Sequence, residues 1–243
     1  MPKTLWFLDY DGSVCPHQEI WEPRKYSSDD ILTTVKYLAE QTQGVYWNTG
    51  RRVKSLESVN PGFLNFPGFF VHGSIFWSPE LKKETILART LDTSFVNWIE
   101  KKIEGEKNWL RLEIKPTALR ITPLKLEKIF EVEEFLKKLP LPGAGQDWRW
   151  EFGPRGAEFL LKNFNKGTAL QKGLAESKNP LAVPVVVGDD FQDSYAVREA
   201  LARGGHALLV GENCGWITEI PHKPDQVHFF ESASDVLDFL KSL

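Results

Sequence analysis

Two apolar runs in this chain stop abruptly at acidic residues, and this limits the possible folds more than any other feature. TLWFL leads into Asp9 and Asp11, and VPVVVG leads into Asp189 and Asp190. A short, continuous apolar run reads as a strand buried on both faces, the kind found in parallel sheets. GVYWNTGRR, GFFVHG and HALLVG read as further strands of the same sheet. Helical patterns lie between them. Ser28 to Glu40 is capped by SSDD and carries Ile31, Leu32, Val35 and Leu38 on one face. Lys166 to Glu176, Ser194 to Ala202 and the amphipathic SASDVLDFLKSL follow. This alternation predicts an α/β fold built on a doubly wound, Rossmann-like parallel sheet.

The middle of the chain has a different grain. Thr93 to Glu104 is helical, with Phe95, Trp98, Ile99 and Ile103 on one face. Trp109 to Lys115 and Ala118 to Ile121 read as strands, and Leu126 to Leu139 as a second helix. Trp148 to Phe152 and Ala157 to Leu161 read as two more strands, joined by the hairpin signal GPRG. Helix-strand-strand thus occurs twice. The pattern predicts an α+β cap domain over residues 87–162, inserted into a core formed by 1–86 and 163–243.

With 243 residues, there is room for both modules. The net charge of -3 lacks the basic excess of a nucleic-acid binder. No run is long and apolar enough to suggest a membrane partner. Cys15 and Cys214 are too few for a disulfide framework, and the run at Thr4 to Leu8 is too short for a secretory leader. These features predict a cytoplasmic protein.

In an open parallel sheet, ligands sit outside the carboxyl ends of the strands. Asp9, Asp11, Asp189 and Asp190 occupy such ends, and Asp193 follows close by. Carboxylates crowded on one rim repel one another unless a cation lies between them. A hard divalent ion suits oxygen ligands, Mg²⁺ above all where phosphate is near. Asp193 alone would read as a helix cap, and Lys166 in FNKGTAL as a solvated surface lysine. Thr49 and Gly50 alone would read as an ordinary turn. A hydroxyl and the N–H groups of a glycine turn also hold phosphate oxygens, and a lysine at a helix start neutralises them.

FLDYDGSV, NTGR, NKGTAL and VVVGDDFQD in this order resemble the four motifs of the haloacid-dehalogenase phosphatases. Ser13 stands where threonine is commoner. Within that superfamily the chain resembles the trehalose-6-phosphate phosphatases. NTGRR, FFVHG, RLEIK and GDDFQD sit where that family has Ser-Gly-Arg, Glu-His-Gly, Glu-Asp/Asn-Lys and Gly-Asp-Asp-x-Thr-Asp.

The resemblance implies Asp9 as nucleophile and Asp11 as general acid and base. It implies Mg²⁺ held by Asp9, the carbonyl of Asp11 and Asp189, with Asp190 or Asp193 in support. Thr49, Gly50 and Lys166 would hold the phosphoryl oxygens. Arg51, with Arg52 as an equal alternative, and His72, Glu113, Lys115 and Glu158 would contact a sugar phosphate, with the cap closing over the site. Solvated strand-edge roles suit Glu113, Lys115 and Glu158 nearly as well, and a structural role suits His72. Several positions depart from the trehalose-6-phosphate pattern, namely Val71, Ile114, Thr122, Leu160, Leu161, Gln192 and Ser194. The departures leave open a phosphatase for a sucrose, glucosylglycerol or mannosylglycerate precursor, or a non-catalytic sugar-phosphate binder.

Overall fold

The computed structural model describes residues 3–16, 25–139, 147–153, 155–177, 179 and 181–243. These divide into two compact units, Met1–Thr85 with Asn165–Leu243, and Ile86–Phe164.

The first unit carries strands β1 (Thr4–Leu8), β2 (Gly44–Asn48), β3 (Gly68–Phe70) and β4 (Ile75–Ser78). The strand β5 (Lys83–Ile86) ends at the unit boundary. Its helices begin with α1 (Ser28–Gln41) and α2 (Val53–Glu57). The second unit holds α3 (Thr93–Ile103), β6 (Leu110–Lys115), β7 (Ala118–Pro123), α4 (Ile129–Lys137), β8 (Trp148–Gly153) and β9 (Gly156–Leu161). The first unit then resumes with α5 (Lys166–Glu176), β10 (Val183–Gly188), α6 (Ser194–Ala202), β11 (His206–Val210), β12 (Val227–Phe230) and α7 (Ala233–Lys241).

Among the described residues the larger sheet has eight strands in the order β12-β11-β10-β1-β2-β3-β4-β5. The pairs from β12 through β3 are parallel, and β3 pairs with β4 antiparallel. The predicted doubly wound parallel sheet is therefore present, with strands that the apolar runs did not announce. β5, KETI, is exposed at all four positions, so it carries no buried pattern to read. β4 and β12 are edge or near-edge strands with mixed exposure.

β1 lies mid-sheet, and successive side chains of a strand point to opposite faces. Leu5 and Phe7 join Leu170 and Leu174 of α5 and Ala196, Val197 and Ala200 of α6 in one core. Trp6 and Leu8 point the other way, where α1 packs on β2 and on α7. Capping boxes start both of those helices, Ser27 with Asp30 and Ser232 with Asp235. Each such cap contributes about 1 kcal/mol.

The second unit has a four-stranded antiparallel sheet ordered β6-β7-β9-β8. Phe95 and Ile99 of α3 and Val132 and Leu136 of α4 pack on Leu119, Ile121, Ala157 and Phe159. The Phe159 ring stacks on Phe95 and on Trp148, at centroid distances of 4.6 and 5.3 Å. Alternation puts Glu113, Lys115, Arg120, Arg149, Glu151 and Glu158 on the opposite face. The hairpin expected at GPRG closes with Gly153 paired to Gly156, and Pro154 lies outside the described residues. No helix among the described residues is long and apolar enough to cross a membrane.

Candidate active site

The register of β1 and β10 brings the two acidic strand ends together. Leu8 pairs with Val187, and the Asp9 N–H donates to the Val187 carbonyl at 3.1 Å. Asp9 and Asp189 thus leave neighbouring strands side by side, and both are buried. Asp193, from the turn before α6, is buried with them. One carboxylate oxygen from each of the three lies within 4.8 Å of the others.

Lys166 supplies the balancing charge. It is only 2% exposed, so the solvated-lysine reading does not hold. Asn165 caps α5 by accepting from the N–H groups of Gly167 and Thr168, which fixes the helix start beside the acids. Lys166 Nζ lies 2.7 Å from Asp193 Oδ1 and 3.0 Å from Asp9 Oδ2. Asp193 Oδ2 accepts from the N–H groups of Asp189 and Asp190 at 3.2 and 3.4 Å. Both Asp193 oxygens are therefore occupied by protein donors, which makes Asp193 an anchor for the lysine and the loop.

Burial pushes the Asp9 carboxyl up to about 6, although Lys166 pulls it down. Burial also pushes Asp193 upward, Lys166 opposes that push, and the neighbouring acids add to it. For Lys166, burial works against the charge, but Asp193 and Asp9 overcome it and raise its pKa well above the ordinary lysine range.

Asp193 can approach only because residue 188 has no side chain. A methyl group at Gly188 would lie 2.3 Å from Asp193 Cγ. Gly188→Ala is therefore expected to cost about 1–3 kcal/mol, as overpacking does. Urea unfolding measures this, and an unchanged midpoint would show that Asp193 has room to shift.

The other predicted residues fall into distinct places. Asp190 caps the turn by accepting from the Gln192 N–H at 2.9 Å, outside the acidic trio. Ser13 Oγ donates to Asp189 Oδ1 at 3.1 Å. The Asp11 carboxylate also stands outside the trio. Arg51 grips it with two hydrogen bonds of 2.6 Å, reaches Ser55 Oγ at 3.1 Å and lies over the Tyr10 ring. Arg52 is exposed, so Arg51 is the arginine of this pair built into the site.

Thr49 and Gly50 form the turn after β2, with the Thr49 N–H bonded to the Phe69 carbonyl and the Arg51 N–H to Thr49 Oγ1. His72 is buried with its ring against Gly50. In the second unit, Lys115 and Glu158 form a buried ion pair of 2.7 Å, so neither is a solvated edge residue. Glu113 is half-buried opposite Arg120.

Sequence reasoning missed Ser13 as a partner of Asp189, and Asn48, whose Nδ2 donates to the Lys166 carbonyl at 3.0 Å. It also missed Arg120, in register between Glu113 and Glu158. Strand alternation alone would have put Arg120 on the charged face.

The donor set fits a hard divalent cation. Asp9 Oδ1 is buried with no hydrogen-bond partner among the described residues, an arrangement that costs free energy unless a ligand fills it.

Comparison with solved structures identifies the fold. A haloacid dehalogenase-like hydrolase from Bacteroides thetaiotaomicron superposes with a TM-score of 0.70 at 14% identity, over 98% of each chain. The chain has the haloacid-dehalogenase fold. Several solved structures with this fold carry trehalose-6-phosphate phosphatase in their names. The C-terminal domain of the C. albicans trehalose-6-phosphate phosphatase has a TM-score of 0.77 at 20% identity, over 99% of this chain and 91% of that one. A trehalose-6-phosphate phosphatase related protein has a TM-score of 0.68 at 18% identity, over 98% and 96%. No family model and no curated protein sequence matches the chain. The superpositions span nearly the whole chain, so they take in the second unit as well as the larger sheet.

Proposed function

We propose that this chain is a Mg²⁺-dependent phosphatase acting on a sugar phosphate, with trehalose 6-phosphate as the favoured substrate. The observation that carries the reading is Asp9, a buried carboxylate at the end of a central strand. One of its oxygens lies beside Lys166 and the other is without a hydrogen-bond partner among the described residues.

A bound Mg²⁺, held by Asp9, Asp189 and the Asp11 carbonyl, would offset the charge of a phosphate dianion and of the acids. An Asp9 carboxylate oxygen bonds to phosphorus as the ester P–O bond breaks, giving an aspartyl phosphate. Thr49, the Gly50 N–H and Lys166 Nζ hold the non-bridging oxygens, with Lys166 matched to the charge that develops there. Asp11 gives a proton to the departing sugar oxygen and then takes one from the water that attacks the aspartyl phosphate. For either step the Asp11 carboxylate must leave its grip on Arg51. The second unit serves recognition through Glu113, Lys115 and Glu158. In this reading the core is 1–86 with 163–243, and the cap is 87–162.

The test is turnover of p-nitrophenyl phosphate, expected to need Mg²⁺ and to stop with EDTA. Full turnover by metal-free protein would remove the metal from the reading. Glu113→Gln and Glu158→Gln should lower kcat/KM for a disaccharide phosphate by about tenfold or more while sparing p-nitrophenyl phosphate, which has no cap contacts to lose. Equal losses on both esters would assign these residues a structural role. Thermal unfolding of Glu158→Gln should accompany the assay, because Lys115 is buried against Glu158.

A second reading, phosphatase for another glycosyl phosphate, is favoured by Arg120. It is half-buried on the charged sheet face between Glu113 and Glu158, yet its guanidinium makes no hydrogen bond or ion pair among the described residues. A better kcat/KM for a glycosyl phosphate bearing a carboxylate than for trehalose 6-phosphate would favour this second reading. Binding of such esters with no turnover would support the non-catalytic alternative.

A further inference from the structure

Val71, His72 and Gly73 follow β3 with successive positive φ angles of 49°, 55° and 88°. Left-handed backbone is disfavoured for side-chain-bearing residues, and most for a β-branched one. Such a segment persists only where its surroundings over-determine it. Here those surroundings are two elements of the candidate site. The Val71 N–H donates to the Arg51 carbonyl at 3.0 Å and the His72 N–H to the Thr49 carbonyl at 3.2 Å. The His72 ring lies so close on Gly50 that a methyl group there would sit 2.6 Å from Cε1 and 2.7 Å from Nε2. On the other side, a methyl group at Gly73 would meet the Asn165 carbonyl at 2.9 Å and Ala169 Cβ at 3.0 Å, in the turn that presents Lys166.

We infer that Val71–Gly73 is a spacer that sets the Thr49–Gly50 turn against the start of α5, and that His72 is a positioning residue acting through Gly50. The ligand whose binding depends on this spacing is a phosphoryl group. His72 does so by packing its ring, which is 3% exposed, with the Cε1–Nε2 edge nearest the backbone of the turn at Gly50. This differs from the substrate contact that the family resemblance implied. The inference rests on the phosphatase reading for the identity of the ligand.

The experiment compares wild type with His72→Ala, His72→Phe, Gly50→Ala and the double variant Gly50→Ala/His72→Ala. It reads inorganic phosphate binding by calorimetry with Mg²⁺, kcat and KM for p-nitrophenyl phosphate, and the thermal midpoint. His72→Ala should weaken phosphate binding and raise KM by about tenfold, with kcat changed less than about threefold, since the turn binds the phosphoryl group in ground and transition states alike. A purely structural residue would lower the active fraction and the midpoint and leave KM alone. His72→Phe keeps a flat ring on Gly50 and should stay within about threefold of wild type. Gly50→Ala should weaken phosphate binding by colliding with the ring, and the double variant should be no worse than His72→Ala.

Phosphate affinity and KM within about twofold of wild type in His72→Ala would overturn the inference. So would equal losses in His72→Phe and His72→Ala, which would assign the effect to the ring nitrogens, or losses that multiply in the double variant. If wild type turns over no ester, the phosphatase reading fails, and phosphate affinity across the variants still decides the inference.

Discussion

Asp9→Asn should abolish ester hydrolysis and, in metal-free protein at neutral pH, make the chain harder to unfold. An amide is a far poorer nucleophile than a carboxylate, so the loss should exceed about 10³-fold. The gain in stability follows from burial. The Asp9 carboxyl is pushed up to about 6, against an unfolded value of about 3.9. Such a group favours the folded state fully below the unfolded value, and that contribution is lost as pH rises through about 6. Above that pH the ionised carboxylate costs about 3 kcal/mol, which asparagine does not carry. Urea unfolding at pH 7 should therefore show Asp9→Asn the more stable, with the gap closing toward pH 4. A gap that widened on acidification would contradict the burial account, and retained turnover would remove Asp9 as the nucleophile.

Lys166→Met should have the opposite effect on stability. The substitution keeps the buried stem but leaves Asp193 and Asp9 facing each other without their cation. Breaking a buried ion pair on one side costs about 3–5 kcal/mol. Because the pKa of Lys166 is raised, its contribution is complete at neutral pH and would be lost only above the ordinary lysine range. On the acidic side the cost of Lys166→Met should shrink as Asp9, whose carboxyl Lys166 no longer pulls down, takes up its proton. Turnover should fall by about 10²–10³-fold through loss of charge stabilisation. Urea midpoints from pH 4 to 8 measure the first effect, and a destabilisation independent of pH would point to packing alone.

Much of this was legible in the sequence because buried parallel strands have an unmistakable composition. TLWFL and VPVVVG have no polar position before their acids, so both the strands and the direction of their ends can be read. β5 has no such signature, since an exposed edge strand needs no apolar face. The burial of Lys166 was unreadable for another reason. A lysine in NKGTAL looks like any helix-start lysine until the fold brings the Asp9 and Asp193 carboxylates onto its Nζ. The grip of Arg51 on Asp11 and the seat of His72 on Gly50 are likewise products of chain crossing. Lys115 and Glu158 read from the sequence as candidate cap contacts, but their pairing with each other depends on the order β6-β7-β9-β8, which periodicity does not specify.

The position of β1 in the larger sheet bears on how the chain folds as it is made. Thr4 pairs with Val183, so β1 waits on that side for a neighbour made about 180 residues later, about 10–40 s at ordinary translation rates. The intervening unit, Ile86–Phe164, is continuous in sequence and closes its own sheet through near neighbours. Long-range parallel pairing is slow, and local pairing is fast. The second unit can therefore be complete on the ribosome while TLWFL still lacks its partner on that side. Asp9 and Asp189 then come together only after β10 has been made, so the site is acquired after the second unit can close its own sheet.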